Sequence, residues 1–189
     1  MAEAINTCIA LLRAVNVSGR GKVGMAELRH MLTVIGFKDV KSLHQSGNVV
    51  FTSDVQPGAQ LEARLEAEAD KRLGLQTAFF VRTPRDLDVV IAGNPFPAEA
   101  KGDPSHLVVM FLKDAPNAAA TAALRAAIKG PERVEADGKH AYVVYPAGIG
   151  ESRLTTAMIE AKLGTQGTGR NWNTVLKLAA LAAGDPYRR

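Results

Sequence analysis

The chain has 189 residues, 47% of them hydrophobic, with a mean hydropathy near zero and a single cysteine. A chain of this size and composition can bury a core without disulfides or structural metals. Its formal charge of +4 divides into +1 over residues 1–94 (eleven Lys/Arg against ten Asp/Glu) and +3 over residues 95–189 (twelve against nine), which excludes the strong basic field on which nucleic-acid binding usually rests.

Cys8 sits inside the apolar run Cys8-Ile9-Ala10-Leu11-Leu12, where a thiol acts as a small hydrophobe. No apolar run approaches the roughly 20 residues of a membrane span. Glu3, Arg13 and Asn16 stand where a secretory leader would be basic, apolar or small. The expected setting is the cytoplasm, with no membrane partner.

In chain order, Thr7–Leu12 reads as a strand buried on both faces. A polar loop, Arg13 to Lys22, leads to a helix from Met25 that Gly36 ends. Strands Val40–Gln45 and Val49–Thr52 flank Gly47-Asn48, a dipeptide suited to a two-residue hairpin. Pro57-Gly58 introduces a second helix, with Leu61, Leu65 and Leu73 inward and Glu62, Glu66, Glu68 and Lys71 outward. Thr77–Val81 is a strand and Pro84–Ile91 a short helix.

After the break at Asn94-Pro95-Phe96-Pro97 the pattern restarts. Leu107–Leu112 is a strand and Ala118–Ile128 a helix. Val134–Ala136 and Ala141–Tyr145 flank Asp137-Gly138. Ser152–Leu163 is a helix with Leu154, Met158 and Ala161 on one face, and Thr165–Thr168 is a last short strand. The final helix covers Val175–Ala183, with Asn171 placed to cap its first turn, Trp172 expected in the core, and Gly184 and Pro186 to stop it.

Both halves thus share the order strand, helix, strand, turn, strand, helix, strand. The expected fold is α+β: a tandem pair of ferredoxin-like (βαββαβ) subdomains forming a pseudo-dimer, plus a C-terminal helix, with domains at 1–92 and 93–189.

Right-handed crossovers in such units gather polar residues at two sheet edges. Arg13, Asn16 and Lys22 come to the edge that carries Ser46 and Asn48, within a window, Ala4–Ala26, that contains no acid. Arg153, Arg170 and Asn171 gather at the second, near Gly148. These eight are the candidate ligand-binding residues, and the chemistry they suit is that of a small anion, a nucleotide or a phosphorylated or carboxylated metabolite.

Gly19–Gly24 matches G-x-G-x-x-G, yet no acid ends a second strand at the distance a dinucleotide fold needs, so a flexible turn or an unclassified phosphate loop fits better. The four histidines, His30, His44, His106 and His140, show no metal-ligand spacing, and neither metal nor cofactor is expected. Tyr142 and Tyr145 lie on a hairpin strand, where core or edge packing is favoured over stacking on nucleic-acid bases. Two further functions stay open: a cofactor-independent enzyme using Arg13 and Arg170 as electrostatic stabilisers, and a nucleic-acid-binding or purely structural protein.

Across the chain, Leu12-Arg13-Ala14-Val15-Asn16-Val17, Gly36-Phe37, Gln45-Ser46-Gly47-Asn48-Val49-Val50-Phe51, Asn94-Pro95-Phe96, Tyr145-Pro146-Ala147-Gly148 and Thr168-Gly169-Arg170-Asn171-Trp172-Asn173-Thr174 follow one another. In this order the sequence resembles the domain of unknown function 1697 family of small, mostly bacterial proteins. Ser42-Leu43-His44 departs where that family more often has an aromatic, and Ser18-Gly19-Arg20 where it tends to have paired glycines. The resemblance implies an α+β fold with two related halves and supplies no activity, cofactor or catalytic residue.

Overall fold

A computed structural model describes residues 5–13, 24–43 and 47–184. Among these residues the fold is α+β, with two four-stranded antiparallel sheets and seven α-helices. Two compact units form, one of residues 1–88 with 177–189 and the other of residues 89–176.

The first unit contains β1 (Asn6–Leu12), α1 (Met25–Val34), β2 (Lys38–Ser42), β3 (Asn48–Ser53), α2 (Ala59–Leu73) and β4 (Phe79–Arg82), with sheet order β2-β3-β1-β4. On β1, Cys8, Ala10 and Leu12 face a core built from Leu28, Met31 and Leu32 of α1 and Leu61, Leu65 and Ala69 of α2. The alternate residues Ile9 and Leu11 are buried as well, so the uninterrupted apolar run does mark a strand covered on both faces. Phe37 stacks on Phe51 with ring centroids 4.7 Å apart, and Arg64 lies over the Phe37 ring while donating to the Ile35 carbonyl.

Gly47-Asn48 is not a two-residue turn: Asn48 already belongs to β3, paired with Leu11 and fully buried. Glu62 and Glu66 do not form a solvated face. β4 is an edge strand, and its alternate N–H groups point away from β1. The Glu66 carboxylate accepts from the Phe79 N–H (2.9 Å), and the Glu62 carboxylate from the Val81 N–H (2.8 Å). Glu62 also lies 3.7 Å from the Arg82 guanidinium, both side chains being almost wholly buried.

The chain continues through α3 (Pro84–Ala92) and α4 (Pro97–Gly102), the latter absent from the sequence reading. The second unit's sheet is made from β5 (Leu107–Leu112), β6 (Arg133–Asp137), β7 (His140–Val144) and β8 (Gly167–Asn171), ordered β6-β7-β5-β8. Helices α5 (Ala118–Ala127) and α6 (Thr156–Leu163) supply Leu124, Ile159 and Leu163 to its core, with Val108, Met110, Val143 and Tyr145. α6 starts later than Ser152, after a short 3-10 turn at Ile149–Glu151, and Ala161 is exposed where the helical pattern had placed it inward. The final helix, α7 (Trp172–Ala182), begins directly after β8.

The sheets share one hydrogen-bonding frame. Leu12 N–H donates to the Gly47 carbonyl and Arg13 N–H to that of Ala78; Leu112 N–H donates to Lys139 and Lys113 N–H to Gln166. Aligned on these bonds, Arg13 matches Lys113, Asn48 matches His140, Thr77 matches Thr165 and Arg82 matches Arg170. The edge treatment repeats too, since the Glu160 carboxylate on α6 accepts from the Gly167 N–H on β8 at 2.8 Å.

Candidate functional site

At the first edge Arg13 follows the buried strand β1 directly. Its N–H is bound by the Ala78 carbonyl (2.9 Å), and its own carbonyl accepts from Thr77 Oγ1 (3.1 Å). The backbone is therefore anchored on both sides while the residue stays half-buried. Gly47 lies alongside with φ of +70°, and a Cβ there would come within 3.0 Å of Leu12 Cβ. Only glycine meets both demands comfortably. The Asn48 amide donates to the Leu43 carbonyl at 3.4 Å, tying β3 to the residue that follows β2. The structure thus brings Arg13 and Asn48 to one sheet end. Asn16, Lys22 and Ser46, the rest of that proposed group, lie outside the described residues, as does most of Gly19–Gly24.

The second edge differs from a solvent-facing cationic patch. Arg170 is in β8 and only 8% exposed; its Nη1 donates to Thr168 Oγ1 and to the Gly169 carbonyl, each at 2.8 Å. Burial pushes this guanidinium down to about 10, because a low-dielectric setting disfavours the charged form. Asn171 accepts from the Thr174 N–H at 2.9 Å, the capping role expected of it, and Trp172 is buried. Arg153 is exposed on the loop before α6.

One further pair of side chains meets at this end. Asp103, the residue that caps the C-terminus of α4, accepts from His106 Nδ1 through Oδ2 at 2.7 Å, and its Oδ1 accepts from Ser105 Oγ at 3.1 Å. The signal was the spacing Asp-x-x-His ahead of an apolar strand; a search for metal-ligand spacing among histidines alone could not find it.

Other titratable groups are structural. Burial raises the Cys8 thiol to about 11, which leaves it protonated and unreactive at neutral pH. Tyr142 donates to the Val90 carbonyl at 2.7 Å and Tyr145 to that of Leu154 at 3.1 Å, and burial raises both phenols to about 12. A groove of about 600 Å³ between α1 and α2 is lined by Glu27, His30, Met31 and Arg72 among others; its acid and its guanidinium give an anion no net preference. Among the described residues no group of three or more His, Cys, Asp or Glu could hold a metal ion, and no helix is long and apolar enough to cross a membrane.

A family model described as "Protein of unknown function (DUF1697)" matches residues 5–142. No curated protein matches the chain. Among solved structures, the conserved bacterial protein SP0830 from Streptococcus pneumoniae is similar, with a TM-score of 0.73 and 22% sequence identity, over 95% of this chain and 99% of that one. At this identity the likeness bears on the fold alone.

Proposed function

For a chain that belongs to the DUF1697 family, and so inherits no activity, we propose a cytoplasmic binding module for a small anion, a nucleotide or a phosphorylated or carboxylated metabolite, seated at the Arg13 edge. One observation carries it: the backbone of Arg13 is held on both sides by Ala78 and Thr77 at the end of a wholly buried strand. A cation on an anchored backbone costs less ordering entropy when it engages a guest. Its guanidinium fork suits the paired oxygens of a phosphate or carboxylate.

The frame shared by the two units adds a second support. The matching position in the second unit is Lys113, which an acid, Asp114, follows directly in sequence. The first edge has no acid between Ala4 and Ala26. Charge therefore favours one anion per chain, at Arg13. On the fold, the sheet orders and right-handed βαβ reading support two ferredoxin-like units in tandem; their pairing as a pseudo-dimer is tested by expressing each half alone, where two cooperative, soluble halves with unchanged melting would sink it.

Thermal-shift measurement against inorganic phosphate, citrate, nucleotides and single-stranded oligonucleotides tests the ligand class. A ligand that binds only the folded chain stabilises it by about 2.7 kcal/mol at a hundredfold excess over Kd. The expected result is a rise in Tm with a small anion that Arg13→Ala removes. A steep loss of affinity with salt seen only for oligonucleotides would favour nucleic acid instead; no shift with any anion, or an undiminished shift in Arg13→Ala, would refute the site.

A further inference from the structure

The Asp103–His106 pair is placed as a proton-transfer site would be. His106 is pinned through its backbone, its N–H donating to the Asp103 carbonyl (3.1 Å) and its carbonyl accepting from the Tyr145 N–H (2.9 Å). Its ring is oriented by the Asp103 carboxylate, itself steadied by Ser105. A carboxylate on Nδ1 holds the proton on that nitrogen and leaves Nε2 to exchange protons with a guest. Both side chains are open to solvent, at 40% and 49% exposure.

What stands against Nε2 is Gly148. A Cβ at that position would lie 3.4 Å from Nε2, and the glycine has φ of +85°. A side chain at that position would lie against this nitrogen, and glycine supplies none. Arg153 is exposed on the loop that follows. The sheet register brings this end of β5 beside Val144 and Asn171.

We infer that Asp103 and His106 form a proton-transfer site, Nε2 exchanging a proton with a small anion that carries an ionisable hydroxyl, of which a phosphate group is the simplest, and Arg153 meeting its charge. His106 is the residue that touches the guest, and Asp103 positions it. The site shares no residue with the Arg13 edge, so either can fail without the other.

The full-length chain is tested in two ways. Nitrogen-15 NMR of neutral His106 should show the proton on Nδ1 in the wild type and a shift toward Nε2 in Asp103→Ala. Diethylpyrocarbonate then reports the lone pair: the imidazole nitrogen gains an ethoxycarbonyl group, the anhydride C–O bond breaks and ethyl carbonate leaves. His106 should be modified several-fold faster than the exposed His30, an internal control, and Asp103→Ala should slow His106 alone. Inorganic phosphate should protect His106 more than sulfate does, since sulfate has no ionisable hydroxyl near neutral pH, and Arg153→Ala should abolish the protection. A proton on Nε2 in the wild type, equal rates at His106 and His30, or equal protection by sulfate and phosphate would each overturn the proposal.

Discussion

Removing the Glu62 carboxylate tests how the first unit seals its edge. In Glu62→Ala the Val81 N–H loses an acceptor 2.8 Å away, and the buried Arg82 loses a carboxylate 3.7 Å away. An orphaned buried donor costs about 1–3 kcal/mol, and breaking a buried ion pair about 3–5 kcal/mol. Arg82 still donates to the Val81 carbonyl at 2.8 Å, and its distance from Glu62 exceeds that of a hydrogen bond, so the two costs do not sum in full. Burial already lowers the Arg82 pKa, while Glu62 and then Asp86 oppose that shift; without Glu62 the charged form loses its larger support. The expected destabilisation is about 3–5 kcal/mol. Glu62→Gln keeps a carbonyl acceptor for Val81 and should cost distinctly less, and Glu68→Ala, on the exposed side of the same helix, should change little. Urea unfolding of the full chain followed by far-ultraviolet circular dichroism measures all three. A Glu62→Ala variant within about 1 kcal/mol of the wild type, or a Gln variant as damaged as the Ala one, would refute the reasoning.

Trp172→Ala should cost about 3–5 kcal/mol, because the indole is only 5% exposed; an indole readily quenched by iodide in the wild type would contradict this. Asn171→Ala should cost about 1 kcal/mol in the same urea assay through loss of the bond to the Thr174 N–H. In alkali, Tyr142 and Tyr145 should ionise near 12 rather than 10, followed by absorbance at 295 nm, and Tyr145→Phe should remove one late component. A phenol pKa raised on folding means that the folded state holds its proton longer, so this contribution to stability is complete below pH 10 and fades as pH rises toward 12. Arg170, lowered to about 10, and Arg82, also lowered by burial, act in the opposite sense, but the two phenols are joined by the Cys8 thiol, raised to about 11, and net stability should fall.

Continuous apolar runs were the most legible part of the chain. Leu107–Leu112 forms a strand with the bounds its residues announce, because six apolar side chains in a row satisfy both faces of a central strand. The cap at Asn171 and the burial of Trp172 were equally readable, since each depends on neighbours in sequence. Glu62 was misread because a helical wheel sorts residues by polarity, and nothing local reveals that an edge strand's N–H groups will meet that polar face. α4 was hidden by the prolines around Phe96, although Pro97 occupies the first helical position, where a missing N–H costs nothing. Of the candidate site, the placement of Arg13 and Asn48 at one sheet end followed from chain order. That Arg170 folds back on Thr168 and Gly169, and that Asp103 orients His106, depend on side-chain geometry that spacing alone does not specify.

The carboxylates of α2 and α6 also bear on how each unit opens. Amides that face outward from an edge strand ordinarily trade their hydrogens with solvent quickly. Those of Phe79, Val81 and Gly167 are instead bound by side chains rooted in a helix. For them to exchange, the carboxylate must leave, and in the first unit Leu61, Leu65 and Ala69 of the same helix are embedded in the core. Slow deuterium uptake at Val81 would thus report the lifting of α2 rather than the fraying of β4, making three backbone amides on two sheet margins direct probes of helix undocking.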